Sequence, residues 1–191
     1  MIRNSGPSTG VARVSNPGDS PMATAAPDAI ALLKADHRKV EALFAKFEAA
    51  KGEGRKRALA EEICMELTIH ARIEEDVFYP ACEGKVEEDV LNEAYVEHDG
   101  AKVLIAEIEA GGPDDRFYDA KVKVLSEQIE HHVEEEEKRV EGIFSQARKA
   151  GLDLAALGVE MAQEKERLLA AYKAGGLPPP KASTLDHTRL A

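Results

Sequence analysis

Apolar side chains recur every three or four positions through most of the chain, which is the spacing of amphipathic helices packed around a shared seam. Gly and Pro punctuation divides that pattern into five stretches. The first runs from about Pro27 to Ala50 and stops at Gly52 and Gly54. The second covers about Arg55 to Cys82 and ends at Gly84, and Pro80 is expected to kink or terminate it. The third spans about Glu87 to Ala110, closed by Gly111-Gly112-Pro113. The fourth covers about Asp114 to Lys149 and the fifth about Asp153 to Ala174. Short connections between long helices favour antiparallel neighbours. The predicted fold is therefore all-α: an up-down-up-down four-helix bundle with an additional C-terminal helix.

The flanking segments break the periodicity. Residues 1–27 are rich in Gly, Pro, Ser, Asn and Thr, and Gly175-Gly176 with Pro178-Pro179-Pro180 stops the last helix. The expected organisation is a disordered tail at 1–27, a helical domain at 28–148, the additional helix at 149–174 and a second tail at 175–191. Met22 is an alternative start, and His187 in the second tail reads as a solvated side chain.

The seams carry more than apolar residues. Ile30, Leu33, His37, Val40, Phe44 and Phe47 share one face of the first helix, and Ile63, Leu67, His70, Glu74, Val77 and Ala81 one face of the second. The third gives Leu91, His98, Ala101, Ile105 and Ile108, with Ala94 or Tyr95 between. The fourth gives Val122, Leu125, Ile129, His132, Glu136 and Ile143, with Arg139 or Val140 between. Each seam is interrupted by one histidine, and the second and fourth add a glutamate one turn later. Two buried carboxylates and four buried imidazoles would cost several kcal/mol without compensation, and a bound cation supplies it. His70-x-x-x-Glu74 and His132-x-x-x-Glu136 match in register, and a carboxylate can bridge two metals about 3.5–4 Å apart. Mixed imidazole and carboxylate donors point to iron first, then to manganese or zinc.

Composition narrows the partners. With 25 basic against 36 acidic residues the net charge is −11, and no Lys/Arg-rich run occurs. Nucleic acid and anionic membrane surfaces both need concentrated positive charge, so neither is expected as a partner. No stretch approaches the roughly 18 apolar residues of a membrane span, and no secretory h-region precedes the first helix. Cys64 and Cys82 lie on the order of 27 Å apart on one predicted helix, too far for a disulfide. They read as small buried hydrophobes in a reducing compartment, so the expected location is the cytoplasm.

At the seam residues the chain resembles the hemerythrin/HHE cation-binding family. The segments DHRKVEALFAKFE, ELTIHARIEEDVFYP, EHDGAKVL and IEHHVEEEE carry the likeness, over roughly residues 28–148. The resemblance implies a four-helix bundle around two iron ions joined by an oxo or hydroxo bridge. His37, His70, His98 and His132 would be terminal ligands, with Glu74 and Glu136 bridging. A ferritin-like bundle would use Glu-x-x-His instead, which these seams lack.

The chain departs from the oxygen-carrier pattern of that family. Carriers have a second histidine one turn after the third-helix ligand, where this chain has Lys102. Their fourth-helix bridge is an Asp one residue further on than Glu136. His131 and Tyr95 are open as further ligands, although His132 rather than His131 shares a face with Leu125 and Ile129. Glu75, Glu134, Glu135 and Glu137 read as groups behind the ligands or at the surface. The implied function is a di-iron protein meeting O2, peroxide or nitric oxide in stress response or sensing. The alternatives are a di-iron enzyme with peroxide-disproportionating or oxidase activity, and a metal-free helical interaction module. The fifth helix, with Leu154, Leu157, Met161, Leu168 and Tyr172 in a stripe, could cap the bundle or meet a second copy.

Overall fold

The computed structural model describes Met1, residues 27–177 and residues 182–185. The predicted N-terminal tail, Met22 and His187 lie outside the described residues. Four long helices form the bundle: α1 (Ala29–Ala49), α2 (Glu53–Ile73), α4 (Glu88–Ala110) and α5 (Tyr118–Glu137). Each packs on the next in chain order and α5 returns to α1, which closes the ring. Asp28 starts α1 by accepting a hydrogen bond from the Ala31 amide (2.8 Å), satisfying one of the free donors of the first turn. Gly52 stands between α1 and α2 with φ +88°, a conformation that an L side chain resists.

Two apolar clusters divide the interior. One joins the start of α1 to the end of α2 and to Leu91 and Ala94 of α4. The other joins the end of α1 to the start of α2, the end of α4 and the start of α5. Neighbouring helices thus run in opposite directions, as the short loops predict. The histidine-bearing turns lie between the two clusters.

The second and fourth predicted helices need correction. After Ile73 the second helix opens into a π-helical turn over Glu74–Phe78 and closes with a short α3 (Tyr79–Cys82). The turn directly precedes Pro80, which cannot donate to a regular α-helical ladder. The predicted fourth helix is two: α5 ends at Glu137, and α6 (Ile143–Lys149) follows a non-helical link. Val140, assigned with Arg139 to the seam, is 65% exposed in that link. Gly142 permits the fold-back, because a Cβ there would lie 2.4 Å from the Glu136 carbonyl oxygen.

The additional helix, α7 (Leu154–Gly175), packs along α1, α2 and the π turn. Met161 and Leu168 are fully buried there. Gly158 lets α7 approach the start of α1, since a Cβ would meet the Pro27 carbonyl at 2.3 Å. No helix among the described residues is long and apolar enough to cross a membrane.

Candidate metal centre

One histidine from each long helix enters the layer between the clusters: His37 from α1, His70 from α2, His98 from α4 and His132 from α5. All four are buried, as are Glu74 at the head of the π turn and Glu136 near the end of α5. Their Nε2 atoms converge in two pairs, His37 with His70 at 3.1 Å and His98 with His132 at 3.2 Å. Glu74 Oε2 lies between the pairs, 3.1 Å from His70 Nε2 and 3.3 Å from His98 Nε2. Glu136 Oε2 does the same from the other side, 3.4 Å from His37 Nε2 and 3.7 Å from His132 Nε2. Two groups of potential ligand atoms result: His37, His70, Glu74 and Glu136, and Glu74, His98 and His132.

Behind the rings stands a second set of carboxylates. Nδ1 of His37 donates to Glu137 (2.9 Å), that of His98 to Glu75 (2.9 Å), and that of His132 to Glu97 (2.8 Å). Since a carboxylate only accepts, each of these Nδ1 atoms carries the proton and leaves its Nε2 lone pair available to the centre. Nδ1 of His70 lies 3.8 Å from Asp36 and has no hydrogen-bond partner among the described residues. Glu75 and Glu137 thus stand behind ligand-facing rings, as their positions in the sequence imply. Asp36 and Glu97 each precede one layer histidine by a single residue but face a histidine on another helix, and the seam pattern does not select them.

The chemistry of this donor set fits a cation. Both oxygens of Glu74 and Oε2 of Glu136 are buried without a hydrogen-bond partner among the described residues, an arrangement that costs about 1–3 kcal/mol or more per group. Burial, and then the charge of Glu136, push the Glu74 carboxyl well above its ordinary range. Burial also acts on Glu136, but the neighbouring His132 and His37 outweigh it and lower that carboxyl. Burial holds His70 down to about 4 and thus neutral. His37 is raised, because Glu136, Glu74 and Glu137 together outweigh its burial. Without a cation, a proton on His37 is the charge that the two glutamates draw in.

The layer's remaining member is Tyr79, which the sequence pattern did not select. Its hydroxyl donates to Glu136 Oε1 (3.0 Å) and lies 3.4 Å from His98 Nε2. Burial, followed by the charges of Glu136 and Glu74, raises this phenol well above 10, so it remains a donor. The π turn brings it here, as the Tyr79 amide bonds the Glu74 carbonyl five residues back. Tyr95 packs edge-on against Tyr79 rather than into the layer. The His131 side chain is 59% exposed and lies 3.4 Å from Glu97, outside the layer. Cys64 and Cys82 are both buried free thiols.

Lys102 is buried beside the layer. Its ammonium donates to Glu75 (2.9 Å) and Asp99 (3.0 Å). Asp99 in turn accepts from the backbone amides of Ser183 (2.8 Å) and Leu185 (3.0 Å), so residues 182–185 return to α4. An ammonium has no lone pair, and Lys102 in this state leaves its side of the layer without a donor. A cavity of about 30 Å³ opens there, walled by the histidines and by Val40, Leu67, Ala101 and Ile105. It shares Ile129 and Val133 with a surface groove of about 490 Å³ between α1 and α5.

Comparison with known proteins places these features in a family. Residues 28–143 match the Hemerythrin HHE cation binding domain. A crystal structure of a hemerythrin HHE cation-binding domain-containing protein from Mycobacterium kansasii superposes with a TM-score of 0.64. It is 23% identical and covers 79% of this chain and 95% of that one, a likeness of fold. A DNA nickase of Nostoc sp. is 29% identical over 106 residues. That alignment takes in 56% of this chain and 30% of the nickase, so the chain spans under a third of the relative's length.

Proposed function

This chain belongs to the hemerythrin HHE cation-binding domain family, and from that premise we propose that its buried layer holds two iron ions. His37, His70, His98 and His132 would hold them from the four long helices, together with Glu74 and Glu136 between the histidine pairs. The observation that carries this reading is Glu74: a fully buried carboxylate with both oxygens unpartnered, set between two histidine pairs. Iron held by these residues would supply redox-active, ligand-binding chemistry. Manganese or zinc would satisfy the same donors, and cellular availability decides among them.

The ligand is a small molecule: O2, peroxide or nitric oxide, met in stress response or sensing. A cavity of about 30 Å³ supports this size class, because a water-sized molecule needs roughly 10–15 Å³. The apolar walls favour neutral molecules. Tyr79 holds a proton at hydrogen-bond distance from Glu136, and Glu137, Glu75 and Glu97 hold three of the rings in orientation. The net charge of −11 opposes the DNA activity in the name of the Nostoc relative.

A second reading is peroxide disproportionation, in which two molecules of hydrogen peroxide give one of O2 and two of water. Lys102 favours it, since an ammonium in the place of an imidazole leaves the centre open to exchangeable ligands. The test loads the protein anaerobically with ferrous iron and titrates it with nitric oxide or azide, followed optically. Saturable spectral change, absent from His70→Ala and Glu136→Ala, is expected. No change in the wild type rejects the small-ligand site. Oxygen evolution from added peroxide separates turnover from binding.

A further inference from the structure

The four histidines are not held alike. Three have a carboxylate on Nδ1 at 2.8–2.9 Å. His70 faces Asp36 at 3.8 Å, and both His70 Nδ1 and Asp36 Oδ2 lack a hydrogen-bond partner among the described residues. Asp36 is itself 7% exposed, and its other oxygen accepts from the ammonium of Lys165 on α7. Lys165 comes from outside the family match, which ends at residue 143. Glu75 pairs with Lys102 of α4 and Glu137 with Lys34 and Arg38 of α1, whereas Asp36 pairs with a cation from outside the family match.

The placement of Lys165 follows from how α7 docks. Gly158, Met161, Lys165 and Leu168 follow one another at three- and four-residue steps, so they lie on one face of the helix. Gly158 sits against the backbone at the start of α1. Met161 and Leu168 fill the cluster that also contains Ile73, Phe78 and Tyr79. Lys165, between those two anchors, has 20% of its side chain exposed and is directed at α1 rather than at solvent. A buried carboxylate that loses its cation is left uncompensated, so Asp36 must then turn or admit water. Each of these changes the group that faces His70.

We propose that Lys165 is a positioning residue for the metal centre, acting through Asp36 on His70, so that the docking of α7 sets how firmly the centre holds its metal. The proposal rests on the reading of His70 as a ligand. A carboxylate behind a ligating histidine fixes the ring and raises its basicity, and its loss typically costs 10–100-fold in metal affinity. His70 is accordingly the ligand through which α7 controls release.

The test uses the full chain loaded with iron, as wild type, Lys165→Met, Lys165→Arg, Asp36→Asn and the Lys165→Met/Asp36→Asn double variant. Three quantities are read: the rate of iron loss to a chelator, the near-ultraviolet charge-transfer bands of the ferric centre, and the melting temperature. Lys165→Met is expected to release iron roughly tenfold faster and to move the bands. Lys165→Arg restores both, and the double variant is no worse than Asp36→Asn alone, since both changes break one chain of contacts. Unchanged release and bands in Lys165→Met overturn the proposal, as does a lowered melting temperature with both unchanged. Additive effects in the double variant overturn it too. A wild type that takes up no iron refutes the ligand assignment beneath it, a result distinct from all of these.

Discussion

The same four helices build two interiors that differ in kind. Around Leu43, Phe47, Ile63, Ile105 and Leu125 the seam is buried hydrocarbon that packs without outside help. A turn or two away the same seam carries His37, His70, His98 and His132 with two buried glutamates, and polar atoms there lack partners. The first region follows from apolar burial alone. The second needs a cation to repay its desolvation. A bundle can thus hold its shape through its apolar layers while the layer between them is tuned for chemistry.

The sharpest way to break that contrast is to remove the metal. A ligand at a thousandfold excess over its dissociation constant adds about 4 kcal/mol, so the metal-free protein should melt roughly 8–16 °C lower. Equal melting of both forms, measured by circular dichroism, would show that the polar layer needs no cation. Truncation at the apolar end should behave oppositely. Leu125→Ala is expected to cost about 2–5 kcal/mol, equally with and without metal, and to leave metal content unchanged. Chemical denaturation of both forms checks this, and a metal-dependent cost would merge the two regions.

Removing the unpartnered carboxylate should change sign between states. Glu74→Leu takes away a buried group without partners, so the metal-free protein should gain about 1–3 kcal/mol while metal binding is lost. A metal-free Glu74→Leu less stable than the metal-free wild type would contradict the account. Acid sharpens the same point. Glu74 and His37 both bind protons above their ordinary ranges in the absence of metal, and those protons compete with it. Falling pH should therefore release metal before the ordinary carboxylate range near about 4 is reached, as metal analysis after dialysis would show.

The smallest expected effect is at the thiols. Burial, followed by nearby carboxylates, pushes Cys64 and Cys82 up to about 12. At pH 8 both remain protonated and inaccessible, so a thiol reagent should label neither until the chain unfolds. Rapid labelling of Cys82 alone would mean that the end of the bundle beside the metal layer opens locally.

Much of this was legible in the chain because it is periodic. The histidine and glutamate spacings place their side chains on seams whatever the loops do, and the structure brings those six residues together. Tyr79 was hidden because the π turn shifts the register after Glu74, which an unbroken helical pattern does not anticipate. The break at Lys138–Gly142 was missed because Val140 and Ile143 continue an apolar spacing, while Gly142 closes the chain back on α5. Asp36, Glu97 and Lys165 gave no signal, since their partners are set by packing between helices rather than by spacing within one.

The central claim is that the buried layer is a two-metal centre, and metal analysis of the purified full chain tests it most directly. About two metal ions per chain are expected, with oxo-bridged ferric absorption when iron is bound and loss of both ions in Glu74→Leu. Helical protein that carries no metal as purified and takes up no ferrous iron anaerobically would contradict it.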